Sequence, residues 1–150
     1  MEITSKLITL DDMEILREPL EKLHKHHNEK SVYFSGSYPK QSFEERVKEY
    51  KEKEKKGEYR IEVLTDEKQL VVGFCISYKE KENGHINVLF VEQQCRKHGL
   101  GARLIKSAIE WFEQNGIKDI ELTVVYGNDA VEFYKKMGFY PRSTIMTTRP

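Results

Sequence analysis

Cysteine is scarce in this chain: Cys75 and Cys95 are the only two. They are too few for a disulfide framework, and neither sits at metal-site spacing. Tryptophan occurs once and proline four times, and no low-complexity linker or fixed-period repeat interrupts the sequence. Net charge is also missing, with 25 Lys plus Arg against 25 Asp plus Glu. A chain that wraps nucleic acid with its whole surface is basic, so that class is excluded. No stretch approaches the ~20 apolar residues of a membrane span. The opening MEITSKLITLDD lacks a basic start followed by an apolar run, so no secretory signal is expected. These absences predict a soluble, reduced, cytoplasmic protein with no membrane or nucleic-acid partner.

What is present suffices for a core. The 150 residues predict one domain over 1–150. Mean hydropathy is -0.68, yet 38% of residues are hydrophobic and 11% aromatic, which argues against global disorder. Residues 3–9 alternate loosely as a first strand. Met13, Leu16, Leu20 and Leu23 recur on one helical face. Thr9 and Asp12 resemble an N-cap pair, and Pro19 is expected to kink this helix. Residues 24–41 read as loop. Ser42 and Glu45 form a capping box for a second helix, with Phe43, Val47 and Tyr50 as its apolar face. From Glu44 to Arg60 seven basic and six acidic residues intermix, a solvated face laced with ion pairs.

Strands follow at 60–65, 69–79 and 85–91, with turns at DEK and at Asn83-Gly84, the latter a hairpin mark. A helix from about 100 carries Leu104, Ile105, Ala108, Ile109 and Phe112, and Gly116 stops it. A strand at 119–125 makes a strand–helix–strand unit, so a parallel crossover is expected. Asn128 can cap a last helix bearing Ala130, Phe133, Tyr134 and Met137, ended by Gly138. Residues 139–148 are expected to add a final strand. The fold class is α+β: a mixed, mostly antiparallel sheet with one parallel βαβ crossover and helices on both faces.

The chemistry concentrates in VEQQCRKHGLGARLIK, 91–106. Between Gln93 and Ile109 there is no acid, while Arg96, Lys97, Arg103 and Lys106 supply four positive charges. Gly99 and Gly101 stand just before a helix, where the backbone can approach a ligand and helix N–H groups face it. Phosphate suits such a turn. The dinucleotide fingerprint fails because position 104 is Leu rather than a third Gly. The Walker pattern fails because Ala102 and Arg103 follow Gly101.

Arg96-Lys97-His98-Gly99-Leu100-Gly101 after a hydrophobic strand resembles the acetyl-CoA signature of the GNAT superfamily of N-acetyltransferases. Asn128 to Phe139 resembles that family's second motif, with Asn, Ala, Tyr and Gly-Phe at the expected spacings. The resemblance covers about 60–148, and the first 60 residues match in layout only. It implies that the pyrophosphate of coenzyme A lies on Arg96, Lys97, His98, Gly99, Leu100, Gly101 and Ala102. It further implies that the pantetheine arm runs along Leu89, Phe90 and Val91, and that Asn128, Phe133 and Tyr134 approach it. A backbone N–H of that strand then polarises the thioester carbonyl. No metal is implied, and a homodimer is compatible with the family.

Acetyl transfer needs a neutral amine and a proton for the departing thiolate. Tyr134 is the candidate acid, since a phenol carries its proton at neutral pH and can hydrogen-bond and protonate the departing sulfur. Many small-molecule relatives carry Glu where this chain has Asn87, which cannot accept a proton. The histone-type relatives place their Glu at the position of His85, so His85 is the candidate base, acting directly or through water. Cys95 lies beside Arg96, a placement that lowers a thiol pKa, but direct transfer in a ternary complex is the family's general route. His24, His27, Tyr33 and Phe34, in the segment after the first helix, are candidates for lining the acceptor pocket together with Asn87. His24, His26 and His27 lack a Cys or acid to complete a metal set. The expected activity is acetyl transfer to a primary amine of a small molecule. The competing readings are a non-catalytic acyl-CoA sensor, favoured by Asn87, and a protein or peptide N-acetyltransferase.

Overall fold

Apolar residues crowd the segments 58–65, 71–80 and 83–91, and in the computed structural model, which describes residues 2–148, these segments are the long strands of a five-stranded sheet. The elements in order are β1 (Thr4–Ile8), a 3-10 segment (Leu10–Leu16), α1 (Arg17–Lys30), α2 (Phe43–Lys53), β2 (Glu58–Thr65), β3 (Val71–Glu80), β4 (Asn83–Val91), α3 (Leu100–Gln114), β5 (Asp119–Leu122) and α4 (Ala130–Lys136). The strands lie in chain order, β1 to β5. All pairs are antiparallel except β4 with β5, which are parallel across the α3 crossover. The expected mixed sheet is therefore the observed one.

Both faces of the central strands are covered. Leu16, Leu20 and Tyr50 pack with Phe74, Ile76, Val88 and Phe90 on the α1/α2 face. On the other face Leu104, Ile105, Ala108 and Phe112 of α3 pack with Leu64, Cys75 and Ile86, and α4 adds Phe133, Tyr134 and Met137. Because each β-strand sends alternate side chains to opposite faces, Val63 joins the first cluster and Leu64 the second. Two-sided burial explains why β3 reads as a nearly continuous apolar run rather than a clean alternation.

Local signals succeed where their atoms are local. The Ser42 hydroxyl accepts from Glu45 N at 3.1 Å, and the Glu45 carboxylate accepts from Ser42 N at 2.9 Å, which completes the capping box. Gly116 takes φ 73 and Gly138 φ 96 just beyond α3 and α4, the left-handed conformation that ends a helix.

Five expectations are corrected. Pro19 does not kink a helix interior: the chain is 3-10 up to Leu16, and Pro19 falls in the first turn of α1, where its missing N–H has no partner to lose. Thr9 precedes the 3-10 segment but makes no side-chain cap. The helix α1 runs to Lys30, so the first seven residues of the expected loop are helical. Asn83-Gly84 is not the hairpin turn. Glu80 pairs with Asn83, so Lys81 and Glu82 make the turn, with Lys81 at φ 56. Finally, 139–148 forms no strand. Phe139 is the last residue against the core, Pro141 removes a backbone donor at the entry, and Ile145 and Met146 are 81% and 90% exposed.

Candidate active site

The site begins with an irregularity in β4. Ile76 pairs with Val88, but Ser77 pairs with Ile86, which leaves Asn87 unopposed in a β-bulge. The parallel pairing of β5 stops at the same level, Ile86 with Leu122. Beyond it β4 continues without a neighbour on that side, while Thr123, Val124 and Val125 form the opposite wall of a groove of about 570 Å³.

The backbone pattern sets what that wall offers. Glu92 N donates to Val72 O at 2.8 Å. By the alternation of an antiparallel ladder, Phe90 then points its amide at β3, and Leu89 and Val91 point theirs into the groove. Arg96 Nε donates to the Val91 carbonyl at 3.1 Å, which folds the cationic turn against the end of the strand.

That turn is shaped by left-handed backbone. Lys97 has φ 69, and Gly99, the N-cap of α3, has φ 76. The first N–H groups of α3 are left without helical acceptors. Gly101 lies inside the helix against Phe133, whose Cζ would stand 3.4 Å from an added Cβ, so a larger side chain there would press on α4. Arg96 and Lys97 form no ion pair among the described residues. His26 and Lys30 of α1 reach the same groove, and His26 is held below its ordinary pKa by burial, then by the charges of Arg96 and Lys30. The electrostatics at this end favour a multiply charged anion.

The groove gathers twelve of the thirteen residues expected at the cofactor: Leu89, Phe90, Val91, Arg96, Lys97, Gly99, Leu100, Gly101, Ala102, Asn128, Phe133 and Tyr134 line it, and His98 does not. Asn128, expected to cap α4, stands one residue before the N-cap Asp129, which makes no side-chain cap. The Asn128 Oδ1 accepts from Ala130 N at 2.9 Å, closing a turn at the start of the helix. Tyr134 is half-buried, with Phe133 and Phe139 edge-on to its ring. Burial, with Cys75 behind it, pushes its phenol up to about 12, so it carries its proton throughout the neutral range.

Of the residues expected at the acceptor, His27 and Asn87 line the groove. Asn87 Oδ1 is buried without a hydrogen-bond partner, and such an atom is held at a cost unless something donates to it. His24 points to the opposite side of α1, into a second cavity. Tyr33 stacks on Tyr126 with ring centroids 6.1 Å apart, and neither Tyr33 nor Phe34 lines the groove. His85 pairs with Tyr78 and therefore shares its α2-facing side, two residues from the bulge and outside the groove lining. Burial lowers its pKa, opposed by Glu121 and reinforced by Lys53. Cys95 is buried, and burial followed by Glu92 and Asp66 raises its thiol, so Arg96 does not activate it.

Sequence reasoning missed His26, Lys30 and the 123–125 wall. The α1 residues were hidden by reading 24–41 as loop. A signal was available, because no Gly or Pro occurs between Leu20 and Ser35. The β5 wall had no signal, since where a parallel pair separates depends on its neighbours.

A solved structure of a putative acetyl transferase from Pyrococcus furiosus is similar over 99% of this chain and 100% of that one, at 26% identity and TM-score 0.70. The PaiA N-acetyltransferase of Thermoplasma acidophilum, solved with coenzyme A, has the same fold over 97% of this chain and 94% of that one, at 18% identity and TM-score 0.75. In sequence, an uncharacterized N-acetyltransferase of Methanocaldococcus jannaschii is 35% identical over 68 residues, 45% of this chain and only 30% of that protein. The family model described as Acetyltransferase (GNAT) family matches residues 21–139. That span runs from α1 through α4 and takes in both walls of the groove, and on it the chain belongs to the GNAT acetyltransferase family.

Proposed function

We propose that the protein moves an acetyl group from acetyl-CoA to the primary amine of a small molecule, with donor and acceptor bound together. The observation that carries this reading is the split between β4 and β5, where the unpaired amides of Leu89 and Val91 lead into a cationic glycine turn. Acetyl-CoA-dependent transfer is general in the family. The residues present suit that donor: an arm bearing amides can pair with Leu89 and Val91 as an added strand does, and a pyrophosphate suits Arg96 to Ala102. When bound, acetyl-CoA supplies a thioester carbonyl and a sulfur leaving group.

The remaining work falls to this chain. A backbone N–H of Leu89 or Val91 donates to the carbonyl oxygen as negative charge grows there. Asn87 Oδ1 accepts an N–H of the amine and orients it without taking the proton. His85 takes that proton through water, and the Tyr134 hydroxyl returns one to the sulfur. The unpartnered Asn87 Oδ1 supports an acceptor that brings a donor to the bulge. His27 contributes to the acceptor wall, whereas His24, Tyr33 and Phe34 stand outside it.

The test is thiol release from acetyl-CoA across polyamines, aminoglycosides, amino acids and peptides. Release with a small primary amine is the expected result. Tight acetyl-CoA binding with no release across the panel would mean an acyl-CoA sensor, and release with peptides alone would mean a protein N-acetyltransferase. With the acceptor in hand, kcat/KM should fall as pH drops through a His85 pKa that lies below 6.5. His85→Ala should lose that inflection and about a hundredfold in rate. An unchanged pH–rate profile would remove His85 from the mechanism.

A further inference from the structure

The helix α1 separates two hollows. His26, His27 and Lys30 face the groove, whereas Leu20, His24 and Asn28 face a second cavity of about 660 Å³. Its far wall is the segment after α1 and the start of α2. Leu20, Phe43, Tyr38 and Pro39 give it an apolar surface, and Arg46 enters it half-buried.

Arg46 is firmly held but not neutralised. Its Nη1 donates to Tyr50 Oη at 3.0 Å, and its Nη2 meets His24 Nε2 at 3.2 Å. A guanidinium has five N–H donors, so these two bonds leave three unused. The His24 ring is uncharged, because burial, Arg46 and His27 push its pKa down to about 4. It therefore accepts from Arg46 and offers no opposite charge. The carboxylates in the cavity wall are otherwise placed: Glu44 is bonded to Arg17 at 3.2 Å, and Glu21 and Glu29 are exposed at the rim. Arg46 enters no ion pair among the described residues.

A planar fork with free donors matches a carboxylate in two parallel hydrogen bonds. The cavity also falls within the range of about 300–1,000 Å³ common to small-molecule sites. The charges around the cavity balance, with Arg17, Lys25 and Arg46 against Glu21, Glu29 and Glu44. Arg17 is already bonded to Glu14 and Glu44, so one added negative charge suits the site better than a polyanion. We propose that this second cavity binds a small molecule with one carboxylate, seated on Arg46, and a ring-sized apolar body against Leu20 and Phe43. The site is separate from the transfer groove and stands whether or not the transferase reading holds. The two hollows share a wall, because the His27 ring lines the groove and meets the edge of Tyr38 at 5.6 Å between centroids.

The probe is indoleacetate, with indoleacetamide as its uncharged counterpart, titrated into the full chain and followed by amide shifts in two-dimensional NMR. Indoleacetate should shift residues 20–28 and 35–46 saturably, and the amide should bind about tenfold more weakly. Arg46→Gln should abolish the difference between the two. Should that variant not fold, Ser35→Trp keeps Arg46 and fills the cavity mouth, and it should weaken indoleacetate while retaining a folded spectrum. Equal binding of acid and amide would overturn the proposal. So would shifts confined to groove residues such as Leu89 and Tyr134, or no saturable shift up to the solubility of the probe.

Discussion

Tyr134→Phe is expected to lower kcat by about a hundredfold while leaving acetyl-CoA affinity within about twofold. The Tyr134 ring is packed by Phe133 and Phe139, contacts that Phe at this position would keep. Only the hydroxyl is lost. Burial holds that hydroxyl at about 12, so it carries its proton when the sulfur departs. A free thiol lies lower, at ~8.5, so outright transfer is uphill. The phenol acts by hydrogen-bonding the sulfur as negative charge grows there, with its proton replaced from water if it is passed on. The same high value means that no change of pH in the physiological range removes the proton. Steady-state kcat with an active acceptor, set beside calorimetric binding of acetyl-CoA, separates the roles. Equal losses in both would make Tyr134 a packing residue, and the proton would then come from water.

Gly84→Val is expected to destabilise the fold by about 3 kcal/mol, a Tm lower by roughly 6–12 °C. Gly84 lies at the start of β4 directly beneath α3. A Cβ built there would stand 2.7 Å from Phe112 Cε1 and 2.9 Å from Ile117 Cγ2. Neither neighbour can yield cheaply, because Phe112 is fully buried and Ile117 nearly so. Thermal melting followed by circular dichroism measures the loss. Adding Phe112→Leu to Gly84→Val should recover part of it, and the double-mutant cycle then reads the clash itself. A melt within about 2 °C of the parent would show that the α3–β4 contact adjusts freely.

Gly84 also shows how far the sequence could be read. Asn-Gly is a strong hairpin signal because glycine tolerates the required dihedrals. Here the glycine serves close packing instead, and the turn falls two residues earlier, on Lys81 and Glu82. The residue type was informative, but its reason lay on a helix nearly thirty residues downstream. Pro19 is a similar case. As a helix breaker it signalled an interruption, but the register that places it in a first turn comes from Leu10, Met13 and Leu16 settling under the sheet as a 3-10 segment.

The sequence by itself determined the strand–helix order, the capping box at Ser42, and the glycine turn with its four neighbouring cations. Each of these depends on residues within a few positions of one another, so the physics is local. Tertiary structure alone decided three things. It bulged β4 at Asn87 and parted β5 from it, which turns one edge of a strand into a binding surface. It set α1 between two hollows, which sent His27 to one and His24 to the other. It also left Arg46 charged and unpaired in the second. These outcomes depend on which side chains meet across a sheet or a helix, and contacts between residues distant in sequence leave no period or spacing to read.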